Sequence, residues 1–174
     1  GDNCSTSPRA SALRKVRQGD ILLFLSRLVR WEENEAIGPY GFYLVGHLKI
    51  GDVLCSIRDA PEQEVLVEYG ANAHIKRGLS SPGLWDGFWV FKGTEKSRRY
   101  EKAVPVTRNF CDEVFEDAKG FSWKWDLGRT ELQTIGSYTR TCRCVIDPEV
   151  PRGASRAKAL WQWIELYSER DTNQ

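Results

Sequence analysis

The alternation of residue types along residues 41–50 (GFYLVGHLKI) restricts the fold more than any other feature of this chain. Its large apolar residues recur at a spacing of two: Phe42, Leu44, Leu48 and Ile50. This spacing places them on one face of a strand, whereas a helix would scatter them around its circumference. We predict that they enter a single core together with alternate residues of the apolar run 21–25, itself predicted to be a buried strand. Gly46 would permit the sharp bend that a barrel needs.

Shorter segments supply the other predicted elements. Two further strands are predicted at residues 88–91 and 103–106, and the second should lie at a sheet edge because it contains Pro105. The predicted helical segments are a basic turn at residues 11–17, a helix from Pro61 to Gly70, a helix capped by Asn109 that ends at Gly120, and a last helix capped by Ser155.

Strands that alternate with short helices favour an α+β fold over a doubly wound parallel sheet. The predicted architecture is a curved, mainly antiparallel sheet or a small β-barrel, with flanking helices. A length of 174 residues, 41% of them hydrophobic, suits one domain, which we place at residues 11–174. Residues 1–10 are expected to be disordered or to be a processing or cloning remnant. Because the sequence contains no Met, we also expect a further domain or subunit outside it.

Charge, hydropathy and motif content exclude several functional classes. Twenty-five Lys and Arg residues against twenty-four Asp and Glu give a net charge of +1, so a nucleic-acid site would have to be a local patch. No stretch approaches the roughly 20 apolar residues of a membrane span, and no signal-peptide pattern opens the sequence, which predicts a cytoplasmic protein without a membrane partner. The glycine-rich phosphate motifs of nucleotide enzymes do not occur.

The five cysteines are odd in number and scattered, which favours reduced thiols. Cys142 and Cys144 would share one face of a strand, but a zinc site needs four ligands and no second pair with the right spacing exists. We therefore expect no disulfide between them, no metal site and no cofactor.

Two short strand motifs carry a resemblance to a known superfamily. The segment GDILLF at residues 19–24 and the segment GFYLVG at residues 41–46 resemble the start of PUA-like barrels, the superfamily of ASCH, EVE and YTH domains. Residues 72–77 and 93–103 resemble the nucleotide-modification-associated domain family, which is linked to DNA-modification systems. The resemblance implies a small barrel that binds nucleic acid, with an aromatic pocket for a flipped base in the EVE and YTH relatives.

Positive charge concentrates in two segments. The first contains Lys76 and Arg77, and the second contains Lys92, Lys96, Arg98, Arg99 and Lys102. Together they predict a face that contacts phosphates, to which Ser97 would add a hydroxyl. The alternative is a solvated loop at residues 92–102 in which Ser97 only caps a turn.

The chain also contains seven tryptophans. Five lie in or beside predicted loops and strand ends: Trp31, Trp85, Trp89, Trp123 and Trp125. Their indole rings are candidates for stacking on a base, at about 1–3 kcal/mol each. The alternative for each is core packing, because tryptophan is usually well buried. Trp161 and Trp163 are predicted to pack against the core.

His74 is the better of the two histidines as a functional candidate, because it lies beside Lys76 and Arg77. It would hydrogen-bond a base edge or act as a general acid or base, and the alternative is a structural histidine. We predict that His74 converges with both basic segments on one concave face, bordered by at least one of the five tryptophans.

These observations predict a module that binds DNA or RNA, or a nucleotide. In its sharper form, which the resemblance implies, the prediction is recognition of a modified base in an aromatic pocket, in association with a DNA-modification or defence system. Two alternatives stay open. One is an enzyme or enzyme fragment that acts on a nucleotide or modified base, with His74, Ser97 and Asp86 or Asp126 in its site. The other is a protein-interaction domain that uses exposed tryptophans.

Overall fold

The structure is a computed structural model that describes residues 3–8, 10–116 and 145–168. Within these ranges the chain forms two compact units. Unit 1 contains residues 3–8, 10–22 and 48–97. Unit 2 contains residues 23–47, 98–116 and 145–168.

Four strands form a sheet in which one long strand pairs with the other three. They are β1 (Ile21–Glu32), β2 (Glu35–Ile57), β3 (Phe88–Gly93) and β4 (Arg98–Pro105). β2 pairs with β1 and lies antiparallel to β3 and β4. Glu33 and Asn34 join β1 to β2, and their positive φ angles are those of a two-residue hairpin turn. The prediction of an α+β fold with a mainly antiparallel sheet is therefore confirmed, and the strands in the described ranges leave this sheet open.

Short helices connect and follow the strands. The α-helices are α1 (Gln63–Tyr69), α2 (Ala73–Ser80), α3 (Arg108–Val114) and α4 (Gly153–Ser168), and two 3₁₀ helices span Ser11–Lys15 and Pro82–Leu84. None of the helices in the described ranges is long and apolar enough to cross a membrane.

The core of unit 1 lies between the sheet and two helices. Its buried residues are Tyr69 of α1, Ile75 of α2, and Phe88 and Val90 of β3. The register of β2 on β3 pairs Leu54 with Val90 and Ile57 with Phe88, so these four side chains share one face of the sheet. This face is the one that α1 and α2 cover.

The core of unit 2 is larger. It joins β2, β4, α3 and α4 through the buried residues Phe42, Leu44, Tyr100, Val104, Val106, Phe110, Cys111, Val114, Phe115, Leu160 and Ile164. Trp161 and Trp163 pack against this cluster, as predicted. The Trp163 ring stacks on Phe110, and its Nε1 donates to the Pro105 carbonyl at 2.8 Å, so the indole satisfies its one donor while filling the core.

Residues 41–50 are extended, as the alternation predicts, and Phe42, Leu44 and Ile50 are buried. The prediction of one shared core is wrong, however. Phe42 and Leu44 belong to the core of unit 2, whereas Leu48 and Ile50 lie in unit 1. Period-two alternation fixes which face a side chain occupies, but not which set of residues covers that face.

The predicted strand at residues 21–25 is also present, but it is not a buried strand. Leu23 packs against the unit 2 core, while Ile21, Phe24 and Leu25 are exposed. An apolar run predicts burial only where other elements supply a cover.

Several element boundaries differ from those predicted. The first α-helix begins at Gln63 rather than Pro61. Thr107, not Asn109, caps α3 by accepting the Phe110 amide. Ser155 lies inside the first turn of α4, where its hydroxyl donates to the Arg152 carbonyl instead of capping the helix. The predicted helix end at Gly120 lies outside the described residues.

The basic segment 92–102 is mostly strand, so its interpretation as a solvated loop is wrong. Lys92 belongs to β3, and Arg98, Arg99 and Lys102 belong to β4. The predicted strand 103–106 is the end of β4. Its Pro105 pairs with Tyr43, and among the described strands β4 pairs only with β2, which agrees with the predicted edge position.

The first described residues make specific contacts. Cys4 is fully buried, and the Asn3 side-chain amide donates to the Asp86 carbonyl at 2.7 Å in unit 1.

Candidate functional site

The candidate residues from the sequence fall in both units. Unit 1 contains His74, Lys76, Arg77, Trp85, Trp89 and Ser97. Unit 2 contains Trp31, Arg98, Arg99 and Lys102. Trp123, Trp125, Asp126, Cys142 and Cys144 lie outside the described residues. Each unit therefore has its own candidate surface.

Helix α2 positions the first basic pair in unit 1. The Asn72 side chain caps this helix by accepting the His74 amide at 2.9 Å. Lys76 and Arg77 are exposed, and Arg77 lies 3.8 Å from the Asp86 carboxylate, a loose surface ion pair that contributes little to stability. His74 is half-buried, with its ring 5.5 Å from Phe88. The basic side chains of α2 are thus accessible, while His74 faces the unit 1 core.

Two tryptophans of unit 1 differ in their surroundings. Trp85 stacks on Phe88 with ring centroids 5.8 Å apart, and it covers Gly78 so closely that a Cβ there would lie 2.7 Å from its ring. Core packing is therefore the role of Trp85. Trp89 is half-buried on the other face of β3, with its ring centroid 6.4 Å from that of Phe91.

Ser97 forms part of the turn between β3 and β4. Its Oγ accepts the Lys49 amide at 3.1 Å and lies 3.4 Å from the Lys49 carbonyl. Its own amide donates to the Thr94 carbonyl at 2.9 Å. The hydroxyl holds this turn against β2, which is the turn-capping alternative stated for it above.

In unit 2, β4 carries three residues of the second basic segment. Arg98, Arg99 and Lys102 are exposed along this strand. The register with β2 places Arg98 opposite His47 and Arg99 opposite Gly46. Throughout the described part of the chain, no acidic side chain forms an ion pair with Arg98 or Arg99. Both guanidinium groups are available to an external anion.

Beside Arg98 lies a cluster of three aromatic side chains from three elements. The ring of His47 on β2 lies 5.0 Å from that of Trp161 on α4 in an edge-on arrangement. Its Nδ1 lies 3.0 Å from the Tyr100 hydroxyl of β4. Cross-strand partners share one face of a sheet, so Arg98 projects on the same side as His47. This juxtaposition combines a cation, an imidazole and an indole edge within unit 2.

Burial sets the ionisation of the tyrosine in this cluster. It raises the pKa of Tyr100 to about 12, against a smaller opposing effect of the Arg98 charge. Tyr100 therefore stays protonated at neutral pH, and its hydroxyl is a hydrogen-bond donor or acceptor beside His47 rather than a base.

This cluster was not predicted from the sequence. His74 was preferred over His47 because of its basic neighbours. The signal was weak, because His47, Tyr100 and Trp161 are separated by more than 50 residues from one to the next and only the strand register and the packing of α4 bring them together.

A second group of coupled ionisable side chains lies in unit 1. The Tyr69 hydroxyl donates to the Asp52 carboxylate, and Lys92 pairs with Glu68. The Lys92 ammonium also lies 5.4 Å from the centroid of the Tyr69 ring. The hydrogen bonds from Tyr69 and from the Val53 amide lower the pKa of Asp52, while burial and the neighbouring carboxylates raise that of Tyr69.

This group predicts an acid-dependent loss of stability. Because the pKa of folded Asp52 lies below its ordinary value of 3.8, its stabilising contribution is present above that value and disappears as the pH falls through the lower folded pKa. Tyr69→Phe should cost about 1 kcal/mol near neutral pH and clearly less in strong acid. Urea unfolding over a pH series measures both. A cost that is constant with pH would show that the hydrogen bond to Asp52 is not its cause.

The remaining cysteine, histidine and acidic side chains of the described ranges point to no further site. Cys4 and Cys111 are buried and Cys55 is exposed. Among the residues that the structure describes, no three histidine, cysteine or acidic side chains are placed to hold a metal ion. The prediction about Cys142 and Cys144 stays a prediction.

In comparisons with known proteins, no protein-family model, curated protein or solved structure matches the chain.

Proposed function

We propose that this chain binds nucleic acid or a nucleotide through unit 2, with Arg98 and Arg99 contacting phosphate. The observation that carries the proposal is the placement of two exposed arginines on β4, in register with His47 and Gly46, beside the cluster of His47, Tyr100 and Trp161. Neither arginine forms an ion pair with an acidic side chain of the described residues. Arginine suits this role because its planar guanidinium binds phosphate through two parallel hydrogen bonds.

The edge position of β4 among the described strands supports binding along the strand. Successive residues of a strand point to opposite faces, so Arg98 and Arg99 flank the edge from its two sides. A phosphate backbone that runs beside this edge can reach both guanidinium groups. Arg98, which shares its face with His47, is the one placed to hold a nucleotide whose base lies near the aromatic cluster.

Base recognition is the finer part of the proposal. Among the described residues of unit 2, half-buried Trp161 and exposed Trp31 offer indoles that a base could reach, and base–aromatic stacking contributes about 1–3 kcal/mol. Together with the resemblance to PUA-like barrels, they support a reader of modified bases. Chemistry on a nucleotide, the alternative, would instead use His47 as a general acid or base, with the Tyr100 hydroxyl 3.0 Å from its Nδ1 as a hydrogen-bond partner.

The proposal predicts a loss of binding when both arginines are removed. Arg98→Ala with Arg99→Ala should weaken binding about 100-fold or more, because charge-assisted hydrogen bonds contribute about 1.5 kcal/mol or more each. The slope of log K against log salt for duplex DNA should become smaller by about 1.8, the counterion release expected for two phosphates. Fluorescence anisotropy with labelled single- and double-stranded DNA and RNA measures both quantities.

A matched control removes two positive charges elsewhere. Arg14→Ala with Lys15→Ala changes the net charge by the same amount on an exposed 3₁₀ helix of unit 1 and should leave the affinity close to that of the wild type, because neither residue belongs to the proposed site. Of the single variants, Arg98→Ala should weaken binding more than Arg99→Ala. Equal losses from the two double variants would mean that only the total charge matters. No binding to any of these nucleic acids at low salt would refute the proposal.

Binding to modified and unmodified oligonucleotides of one sequence tests the proposed base recognition. If unit 2 reads a base, Trp161→Leu should reduce the preference between them while leaving the salt slope unchanged, since stacking contributes no counterion release.

A further inference from the structure

His47 and Arg98 lie opposite each other in the pairing of β2 with β4, so their side chains share one face of the sheet. His47 is half-buried and Arg98 is exposed. The charge of Arg98 also acts on the Tyr100 hydroxyl, where it opposes the rise that burial causes in the pKa of Tyr100. Because this hydroxyl lies 3.0 Å from Nδ1 of His47, the guanidinium is near the imidazole as well as on its face.

Tyr100 can hydrogen-bond the imidazole of His47 in either protonation state. A hydroxyl both donates and accepts, so it can donate to Nδ1 of a neutral imidazole and accept from the Nδ1–H of an imidazolium. Burial keeps Tyr100 itself protonated at neutral pH, so it stays an uncharged partner. Protonation of His47 therefore preserves this hydrogen bond and adds a positive charge on the face of Arg98.

Cations predominate among the other charged side chains on the elements packed against His47. They are Arg99, Glu101 and Lys102 on β4, Lys158 and Glu165 one turn before and after Trp161 on α4, and Lys49 two positions further along β2. The charged side chains of β1 begin at Arg27, which lies over Tyr40, seven positions before His47 on β2. Arg98 brings the first set to five cations against two carboxylates, a balance that suits an anionic ligand.

We infer that His47 is a further phosphate ligand of the site in unit 2, and that it binds phosphate in its protonated form, so that the complex takes up a proton as it forms. This inference rests on the proposed function. A phosphate held by Arg98 is attracted more strongly to an imidazolium than to a neutral imidazole, and charge-assisted hydrogen bonds are about twice as strong as neutral ones.

The coupling between proton and phosphate is reciprocal. If bound phosphate favours the protonated imidazole, protonation must strengthen phosphate binding by the same factor. Histidine ordinarily changes its charge between about pH 5 and 8. The affinity for nucleic acid should therefore rise as the pH falls through this range, whereas the charges of Arg98 and Arg99 do not change in it.

The small number of histidines allows the proton to be assigned to one residue. The chain contains two, His47 and His74. His74 lies in unit 1, with its ring 5.5 Å from that of Phe88, and is no part of the proposed site. Two single variants therefore separate the two histidines as sources of a pH dependence.

Affinity measured between pH 5.5 and 8 at constant salt tests the inference. The probe is whichever of the DNA and RNA oligonucleotides named above binds most tightly, labelled with a dye whose fluorescence does not depend on pH. The wild type should bind about tenfold more tightly at pH 5.5 than at pH 8, the effect of one charge-assisted hydrogen bond. His47→Gln can still hydrogen-bond but cannot be protonated, so it should match the wild type at pH 8 and lose most of this gain. His74→Gln, the matched control, should keep it.

Calorimetry in two buffers of different ionisation enthalpy measures the proton directly. Near pH 7 the wild type and His74→Gln should take up a fraction of a proton per complex, and His47→Gln should take up none. These two proteins decide the question even if His47→Gln does not fold, because His74→Gln leaves one histidine. An affinity that is constant with pH, uptake that persists in His47→Gln, or uptake that His74→Gln abolishes would overturn the inference and leave the proposed function standing. An absence of binding at every pH would refute both.

Discussion

Replacing Arg156 by alanine is expected to lower the free energy of unfolding by about 3–5 kcal/mol, the usual effect of breaking a buried ion pair. In unit 2 the Arg156 Nε lies 2.8 Å from Glu116 Oε1, and the two side chains are only 11% and 3% exposed. Nη1 of the same guanidinium donates to the carbonyls of Glu113 and Phe115, each at 3.1 Å. The alanine variant would leave the buried Glu116 carboxylate without this positive charge and remove two hydrogen bonds that tie α4 to the end of α3.

Urea unfolding followed by circular dichroism measures this loss. Lys158→Ala is the matched control, because Lys158 is an exposed cation on the same helix and its removal should change stability by less than about 0.5 kcal/mol. Glu116→Leu combined with Arg156→Met should recover most of the stability, since a buried pair can often be replaced by apolar side chains of similar volume. A loss for Arg156→Ala no larger than that of the control would show that Glu116 does not depend on this partner.

No sequence pattern identifies that ion pair. Glu116 and Arg156 are 40 positions apart, and each resembles any other charged residue of a polar segment until packing brings them together. The strands, unlike this ion pair, can be predicted from the sequence. Residues 41–50 and 88–91 were correctly predicted as strands because period-two alternation and clusters of β-branched and aromatic residues are local properties of an extended chain.

Burial was harder to predict than secondary structure. The apolar run 21–25 is a strand, yet Ile21, Phe24 and Leu25 are exposed, because nothing in a local pattern tells whether another element covers it. Likewise, Phe42 and Ile50 share the period of one strand and belong to different units. The candidate site shows the same limit. Arg98 and Arg99, selected from the sequence for their charge, are exposed, whereas the partner of Arg98 across the sheet, His47, follows from a register that the sequence does not specify.

Gly46 has a role in the pairing of β2 with β4 that the sequence does not reveal. The bend predicted at Gly46 stays a prediction, and its backbone is not in the left-handed region. A Cβ at this position would lie 2.7 Å from the Arg98 carbonyl oxygen and 3.2 Å from the Arg99 Cα. The register of β2 on β4 is also irregular between Leu44 and Gly46. Because Gly46 has no side chain, β4 can approach β2 closely at Arg98 and Arg99, the two residues proposed to bind phosphate.

Gly46→Val should consequently destabilise the protein by about 3 kcal/mol, at the upper end of the cost of overpacking, because the obstructing atoms are backbone and cannot rotate away. Gly46→Ala should cost less, about 1–3 kcal/mol. Gly83→Val is the control, since a Cβ at Gly83 meets nothing within 4 Å. Chemical denaturation of the three variants gives the comparison, and a Gly46→Val variant as stable as Gly83→Val would contradict the close approach.

The same substitution tests whether the strand pairing positions Arg98 for binding. At a temperature where Gly46→Ala remains folded, we expect weaker nucleic-acid binding than in the wild type, because the added Cβ displaces the backbone that holds the guanidinium. In this background, Arg98→Ala should then cost much less affinity than it does in the wild type, since residues that act through one contact are not additive. Fluorescence anisotropy measures the affinities of the single and double variants. Additive losses of affinity in this double-mutant cycle would mean that Gly46 contributes only to stability and that Arg98 binds phosphate whether or not the strand pairing positions it.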